Sequence, residues 1–367
     1  MKPKKNLQYA LNKAVQYLQS GNRELAFKHL TKFCKNAPNN AAIRRDIGIF
    51  FQQNNMPIKA EMFYRDSLSI DNDQTSVYFN LGVIYQSISK TEQAIEAYTT
   101  ATELSNDYAK AFANLGYLYN EIGDKDKCKE ACLSARRLQP ENPQIKHMIA
   151  ALGIEKPPEI ADQQYIKNLY DDYAKTYDSH LSVTLKSRVP QLIHEATMQF
   201  TDISHHDKSM LDLGCGTGIC GELFSAGANI LDGVDLSDKM IEAAEKKDIY
   251  TNLYTADISE FLVNKRNTYN IIFSSDVLIY IGNLKELFKH VKNALKKDGV
   301  FTFSTESTTG QDNDFILDST GRYKHNHNYI TRIAEESQFK ILSSNETPLR
   351  QQKNEDVIGR IYVITTS

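Results

Sequence analysis

The first half of the chain repeats every 34 residues, and this period is the strongest constraint on its fold. Each unit carries a small residue, an aromatic residue three places later and a second small residue: Ala14, Gly48, Gly82 and Gly116; Tyr17, Phe51, Tyr85 and Tyr119; Ala26, Ala60, Ala94 and Cys128. The middle of each unit, where a tight turn needs a positive φ, holds Gly21, Asn55, Ser89 and Gly123. Such a period predicts a solenoid of amphipathic helix pairs.

The length and pattern of these units across residues 7–142 resemble the tetratricopeptide repeat. The resemblance implies an all-α solenoid in residues 1–150 whose concave surface binds a protein or peptide partner, possibly a second copy of the chain. A scaffold that only stabilises the rest of the chain is the other open interpretation. Asn80 and Asn114 occupy equivalent positions in first helices and are candidates to hold a peptide backbone, or else are solvated polar residues.

A proline pair marks the end of the repeats. Pro157 and Pro158 cannot continue a helix, because proline lacks an N–H donor and restricts the residue before it, so residues 150–162 are a predicted linker. From 163 to 367, strand and helix patterns alternate, which predicts an α/β, Rossmann-like doubly wound sheet. The last two predicted strands have no helix between them. We therefore expect a C-terminal antiparallel pair at the sheet edge.

A glycine-rich turn follows the first strand of this second half. Its principal residues are Asp212, Gly214, Cys215, Gly216 and Gly218. Glycines let a backbone approach a ligand, and a helix N-terminus favours a carboxylate, although packing turns and dinucleotide sites also use such glycines. Acidic residues end the next two strands, at Asp235 and Asp257, so the pattern predicts one binding crevice at the carboxyl edge of the sheet.

The runs 211–218, 233–237 and 256–257 resemble class I S-adenosylmethionine-dependent methyltransferases. With 170–181, 275–280, 303–306 and 321–325, the chain resembles bacterial methyltransferases that are fused to N-terminal tetratricopeptide repeats. The resemblance implies a methyltransferase domain at 163–367 with S-adenosyl-L-methionine as its cofactor. It places the methionine part of the cofactor at the glycine turn, the ribose at Asp235 and the adenine at Asp257. The implied cofactor set is Asp212, Gly214, Cys215, Gly216, Gly218, Asp235, Leu236, Asp257, Ile258, Asp276 and Tyr177.

Five residues are candidates for the lid and the acceptor side. The resemblance implies a lid that includes Tyr173 and Tyr177, although tyrosines at helical spacing are also ordinary packing residues. Asp276 follows the fourth strand, where it would position the acceptor or act as a base, or else cap the next segment. Arg322 suits an anionic group, and His325 suits a proton acceptor near pH 7. A surface loop held by its own hydrogen bonds is the alternative for these last two.

The composition of the chain argues against some classes of binding partner. The net charge of -3 does not suggest a protein that coats nucleic acid, and no apolar run approaches the ~20 residues of a membrane span. The five cysteines show no zinc spacing, so we expect no metal and a cytoplasmic protein with reduced thiols.

The preferred function is methyl transfer to a small-molecule acceptor. A protein methyltransferase whose repeats recruit the polypeptide and a non-catalytic adaptor that binds the cofactor are the alternatives. Nucleic-acid methylation is the least favoured.

Overall fold

The computed structural model describes residues 2–36, 39–308, 313–352 and 355–366. The chain divides into two units, Met1–Ile145 and Lys146–Ser367. The stretch 150–162 lies in the second unit, and its first two residues end a helix that spans Pro143–Ala151.

The first unit consists of helix pairs with tight turns inside each pair. Its helices are α1 Lys2–Gln19, α2 Arg23–Lys35, α3 Ala41–Gln53, α4 Pro57–Leu68, α5 Thr75–Ser87, α6 Thr91–Leu104, α7 Ala109–Glu121 and α8 Lys125–Leu138. The next helix, α9 Pro143–Ala151, begins in the first unit and ends in the second. The turns take a positive φ at Gly21, Asn55, Ser89 and Gly123, as the period predicts. The all-α prediction for this part is therefore confirmed.

The repeated glycines are contact points inside the helix pairs. A β-carbon on Gly82 would lie 2.5 Å from Tyr98 Cε1, and one on Gly48 would lie 2.6 Å from Tyr64 Cδ1. Both tyrosine rings are fully buried. The small residue is thus required where a ring from the second helix packs against the backbone of the first.

Asn80 and Asn114 make hydrogen bonds between neighbouring repeats. The Asn80 amide donates to the Tyr64 hydroxyl at 3.1 Å, and Asn114 is hydrogen-bonded to Tyr98. Each bond links a repeat to the one before it. The two asparagines therefore help to hold successive repeats together, and peptide binding by them stays a prediction.

In the described residues of the second unit, nine strands form one sheet that is flanked by helices. Its strands are β1 Lys208–Leu213, β2 Ala228–Asp235, β3 Asn252–Thr255, β4 Tyr269–Ser274, β5 Leu295–Ser307, β6 Phe315–Leu317, β7 Tyr323–His325, β8 Phe339–Gln352 and β9 Glu355–Thr366. Its helices are α10 Gln163–Tyr173, α11 Tyr177–Ser179, α12 Val189–Met198, α13 Ile219–Ser225, α14 Asp238–Glu245, α15 Ile258–Leu262, α16 Lys285–Ala294 and α17 His327–Glu336.

The strand order confirms the doubly wound prediction. Strands β3, β2, β1, β4 and β5 are parallel neighbours in that order. Strand β9 runs antiparallel to both β5 and β8. The predicted antiparallel pair is present, but β9 lies between β5 and β8, and only β8 of this pair is at an edge.

Both faces of the sheet are covered. In β4, Ile272 enters one hydrophobic core, whereas Ile271 and Phe273 enter the other. Successive residues of a strand point to opposite faces, so a strand covered on both sides is apolar throughout. Among the described helices, none is long and apolar enough to span a membrane.

Substitution of Gly82 by alanine tests the role of the repeat period. The added methyl group would clash with the buried Tyr98 ring, so we expect a loss of about 1–3 kcal/mol in unfolding free energy. The expected loss is the net change, because the clash acts against the roughly 1 kcal/mol by which alanine is more favourable than glycine in a helix. Urea denaturation measures it, with Ser76→Ala on the exposed face of the same helix as the control. A more stable Gly82→Ala variant would contradict the packing role.

Candidate active site

The glycine turn after β1 has a left-handed backbone at three positions. Gly214, Gly216 and Gly218 have φ values of 72°, 53° and 88°. A β-carbon on Gly214 would lie 2.3 Å from Val277 Cγ2, whereas one on Gly216 would meet only the Tyr177 ring, at 3.8 Å. The turn therefore packs tightly on one side and leaves the backbone at position 216 open to a cavity.

Asp235, at the end of β2, is fixed by backbone donors. Its Oδ2 accepts from Gly216 N and its Oδ1 from Ser237 N, both at 2.9 Å. Burial raises the pKa of this carboxyl group, while the backbone donors oppose that shift. Each oxygen keeps a further lone pair for a hydroxyl donor.

A first cavity opens at the carboxyl ends of β1 to β4. It is lined by eight of the predicted cofactor residues, which are Tyr177, Gly214, Gly216, Asp235, Leu236, Asp257, Ile258 and Asp276. Asp257 also caps α15, because its Oδ1 accepts from Ser259 N and Glu260 N. The glycine backbone, Asp235 and Asp257 suit an elongated ligand with an amino acid, a ribose and an amino-purine.

Three predicted cofactor residues do not line this cavity. Asp212 is buried and accepts a 2.8 Å hydrogen bond from the Tyr250 hydroxyl, and burial raises its pKa to about 7. Cys215 is buried, which raises the pKa of its thiol, and Gly218 caps α13. These three residues belong to the glycine-rich turn as predicted. The Asp212 and Cys215 side chains are buried, and Gly218 begins a helix, so none of the three faces the first cavity. They support the turn and do not contact this cavity.

A second cavity adjoins the first. It is lined by Leu169, Tyr170, Asp172, Tyr173, Tyr177, His180, Leu181, Leu185, Asp276, Ile279, Tyr280, Arg322 and Arg350. Tyr170, Tyr177, Asp276 and Tyr280 line both cavities. The two spaces therefore share a wall of three phenols and one carboxylate.

The segment α10–α11 supplies much of that wall and is attached to the sheet by polar contacts. The Tyr170 hydroxyl donates to that of Tyr280 at 3.1 Å. The Ser237 hydroxyl donates to Asp171 at 2.6 Å, and the Thr217 hydroxyl donates to the Asp178 carboxylate. These contacts hold the segment beside both cavities, and its role as a lid stays a prediction.

A buried ion-pair network stands behind Asp276. Arg350, on β8, donates to Asp276 Oδ1 at 2.8 Å and to the Glu306 carboxylate. The Arg350 and Glu306 side chains are 2% and 3% exposed. Asp276 itself has a φ of 59°, and its N–H donates to Ser304 Oγ. Sequence reasoning missed Arg350, because no spacing pattern connects it to position 276.

Arg322 and His325 have different surroundings. Arg322 lines the second cavity, donates to Gln352 Oε1 at 3.0 Å and lies 3.9 Å from Glu306. His325 lines neither cavity: it is buried, and its Nε2 lies 2.9 Å from the Ile281 carbonyl oxygen. Burial lowers its pKa to about 4. The prediction of His325 as a proton acceptor near pH 7 is therefore wrong.

Parts of this chain match known protein families. Residues 185–344 match the methyltransferase domain family, and residues 87–123 and 109–142 match tetratricopeptide-repeat families. The second unit carries a methyltransferase domain. The predicted arrangement of a methyltransferase domain after tetratricopeptide repeats is thus confirmed.

Two relatives indicate the breadth of the similarity. The malonyl-[acyl-carrier protein] O-methyltransferase of Priestia megaterium is 32% identical over 39% of this chain and 52% of its own length. The ubiquinone biosynthesis O-methyltransferase of Coxiella burnetii is 27% identical over 33% of this chain and 53% of its own length. The chain thus spans about half the length of these curated relatives.

A solved structure is similar to part of this chain. The 1,6-didemethyltoxoflavin-N1-methyltransferase of Burkholderia thailandensis, with bound S-adenosylhomocysteine, is 15% identical and has a TM-score of 0.45. The match covers 58% of this chain and 93% of that one.

Asp212→Asn should change how stability depends on pH. With its pKa raised to about 7, the folded state binds a proton that the unfolded chain releases near pH 4, so this group lowers stability as the pH rises between about 4 and 7. We expect the variant to lose less unfolding free energy over that window, measured by urea denaturation. The exposed Asp248→Asn is the control. Equal slopes for wild type and Asp212→Asn would contradict the inference.

Arg350→Met should destabilise the second unit by about 3–5 kcal/mol, because it leaves the Asp276 and Glu306 carboxylates without their buried cation. Arg322→Met, at the more exposed guanidinium nearby, should cost about 1 kcal/mol or less. Thermal unfolding of both variants provides the measurement. Similar losses for the two arginines would show that the network does not depend on Arg350.

Proposed function

We propose that this chain transfers a methyl group from S-adenosylmethionine to a small-molecule acceptor in the second cavity. The observation that carries the proposal is the shared wall of Tyr170, Tyr177, Asp276 and Tyr280. A donor in one cavity and an acceptor in the other would meet there. The donor supplies an already activated methyl group, so the protein has to align the acceptor and exclude water.

The lining of the first cavity supports binding of the donor. The Asp235 carboxylate is available to two ribose hydroxyls, and Asp257 to an exocyclic amine. The backbone at Gly216 lies open for the methionine part. Tyr177, whose burial raises its pKa, keeps its proton and closes the cavity as a neutral ring.

The second cavity favours an acceptor with an apolar body and one acidic group. Leu181, Leu185, Ile279 and several tyrosine rings form its walls. Arg322 supplies a guanidinium that suits a carboxylate or phosphate. The names of the relatives from Priestia and Coxiella describe methylation at oxygen, which we extend to this chain as part of the proposal.

Methylation of a protein is the second candidate function, and the repeat unit is the observation that favours it. In that case the helix pairs would recruit the polypeptide. In the preferred function, they would bind a partner protein or a second copy of the chain.

Asp235→Asn tests the proposal. It weakens the acceptor for ribose hydroxyls, so we expect S-adenosylhomocysteine to bind about 10- to 100-fold more weakly by calorimetry, as loss of hydrogen bonds to a charged group of roughly 1.5–3 kcal/mol implies. Asp238→Asn, at an exposed carboxylate in the first turn of α14, should bind as wild type does.

The full-length protein is then incubated with methyl-labelled donor and a cell extract. Label in the small-molecule fraction supports the preferred function, and label on protein supports the second. Binding of the donor product with no transfer to either fraction would favour a cofactor-binding adaptor. Wild-type protein that does not bind S-adenosylhomocysteine would refute all three.

A further inference from the structure

Neither of the two predicted proton acceptors is available in the second cavity. Asp276 is ion-paired with the buried guanidinium of Arg350, and protonation of its carboxylate would break that pair. His325 is enclosed elsewhere, against the carbonyl oxygens of Ile281 and Gly282. An acceptor that must lose a proton therefore needs another group.

A tyrosine–histidine pair lines the same cavity. The Tyr173 hydroxyl is hydrogen-bonded to His180 Nδ1, and the two rings meet edge to face with centroids 5.3 Å apart. Tyr173 is the last residue of α10, and His180 begins a π-helical turn that ends at Thr184. Irregular turns of this kind are frequent at functional sites.

The hydrogen bond aligns a phenol with an imidazole nitrogen. Burial raises the pKa of Tyr173, so its hydroxyl keeps a proton at neutral pH. In the imidazole tautomer that carries its hydrogen on Nε2, Nδ1 accepts from this hydroxyl and is the basic atom. The contact is compatible with this tautomer.

We propose that Tyr173 and His180 act together as the proton acceptor for an acceptor molecule with an ionisable hydroxyl, such as a phenol. The acceptor O–H gives its proton to Tyr173 Oη as the Tyr173 proton moves to His180 Nδ1, which leaves an imidazolium. The acceptor oxygen forms the new bond to the methyl carbon, and the methyl–sulfur bond breaks with its electron pair left on sulfur. The inference rests on the proposed function, because it names the acceptor class of the same cavity.

The remaining lining is consistent with this assignment. A carboxylate acceptor is already ionised and needs no base, whereas a hydroxyl gains from one. The other charged or titratable groups around the cavity are Tyr170, Asp172, Tyr177, Asp276, Tyr280, Arg322 and Arg350. Arg322 favours the ionised form of an acceptor, whereas the charge of Arg350 is compensated by Asp276 and Glu306.

The probe is 4-hydroxybenzoate, which offers both a phenol and a carboxylate. With full-length protein saturated by S-adenosylhomocysteine, no turnover occurs, and ultraviolet difference spectra report ionisation of the bound phenol. We expect the bound phenol to ionise at a pH about one unit or more lower in the wild type than in Tyr173→Phe and His180→Gln. The reason is that each substitution removes part of the proton acceptor. The exposed His205→Gln and Tyr9→Phe are the matched controls.

With S-adenosylmethionine, mass spectrometry separates the ether 4-methoxybenzoate from the methyl ester. We expect the ether, with a rate roughly 100-fold lower in Tyr173→Phe and His180→Gln. The residual rate of these variants should follow the ionisation of the free phenol as the pH rises. A merely structural role would lower the rate without changing this pH profile.

Three outcomes would overturn the assignment: an ester product, no ether from saturating probe, or ether formation that both substitutions leave unchanged. Calorimetry with S-adenosylhomocysteine separates these from failure of the proposed function. If the donor product binds and labelled transfer to other small molecules persists, only the phenol and the Tyr173–His180 pair are excluded. If the donor product does not bind, the proposed function itself fails.

Discussion

The position of Asp276 between the two cavities depends on one buried guanidinium. Arg350 lies between the carboxylates of Asp276 and Glu306, and the side chains of this cation and of Glu306 are almost wholly removed from solvent. A buried cation of this kind is tolerated because its partners are charged and hydrogen-bonded. Three strand ends, those of β4, β5 and β8, are thereby joined where the cavities meet. Asp276 can then keep its left-handed backbone, which non-glycine residues rarely adopt.

The same network assigns separate roles to the charged groups nearby. Because Arg350 occupies both carboxylates, Asp276 serves better as a positioning group than as a base. Arg322 donates a hydrogen bond to Gln352 and also lines the second cavity. Tyr173, at the end of α10, and His180, just after α11, are hydrogen-bonded to each other and line the second cavity. In the proposed reaction, this pair accepts the proton that Asp276 is not placed to take.

The parts of the candidate site that depend on the local backbone conformation were predictable from the sequence. Gly214 and Gly216 take the left-handed conformations that a glycine-rich turn indicates, and Asp235 accepts from the turn itself. Residues whose role depends on long-range packing were not predictable. Tyr250 reaches the buried Asp212, and Arg350 reaches Asp276, without any pattern of spacing. His325 was misassigned for the same reason: its sequence neighbours do not reveal that its ring is enclosed.

By itself, the sequence determined the helix pairs, the doubly wound parallel sheet that contains the glycine turn, and the methyltransferase resemblance of the second unit. These follow from periodicity and from local requirements for glycine, which a chain carries in consecutive residues. Only the tertiary structure decided that β9 lies between β5 and β8 and that Asn80 bonds the neighbouring repeat. It alone brought Tyr173 and His180 into the second cavity. Burial and pairing between residues far apart in the chain decide which polar groups remain free to react, and neither is a property of a local segment.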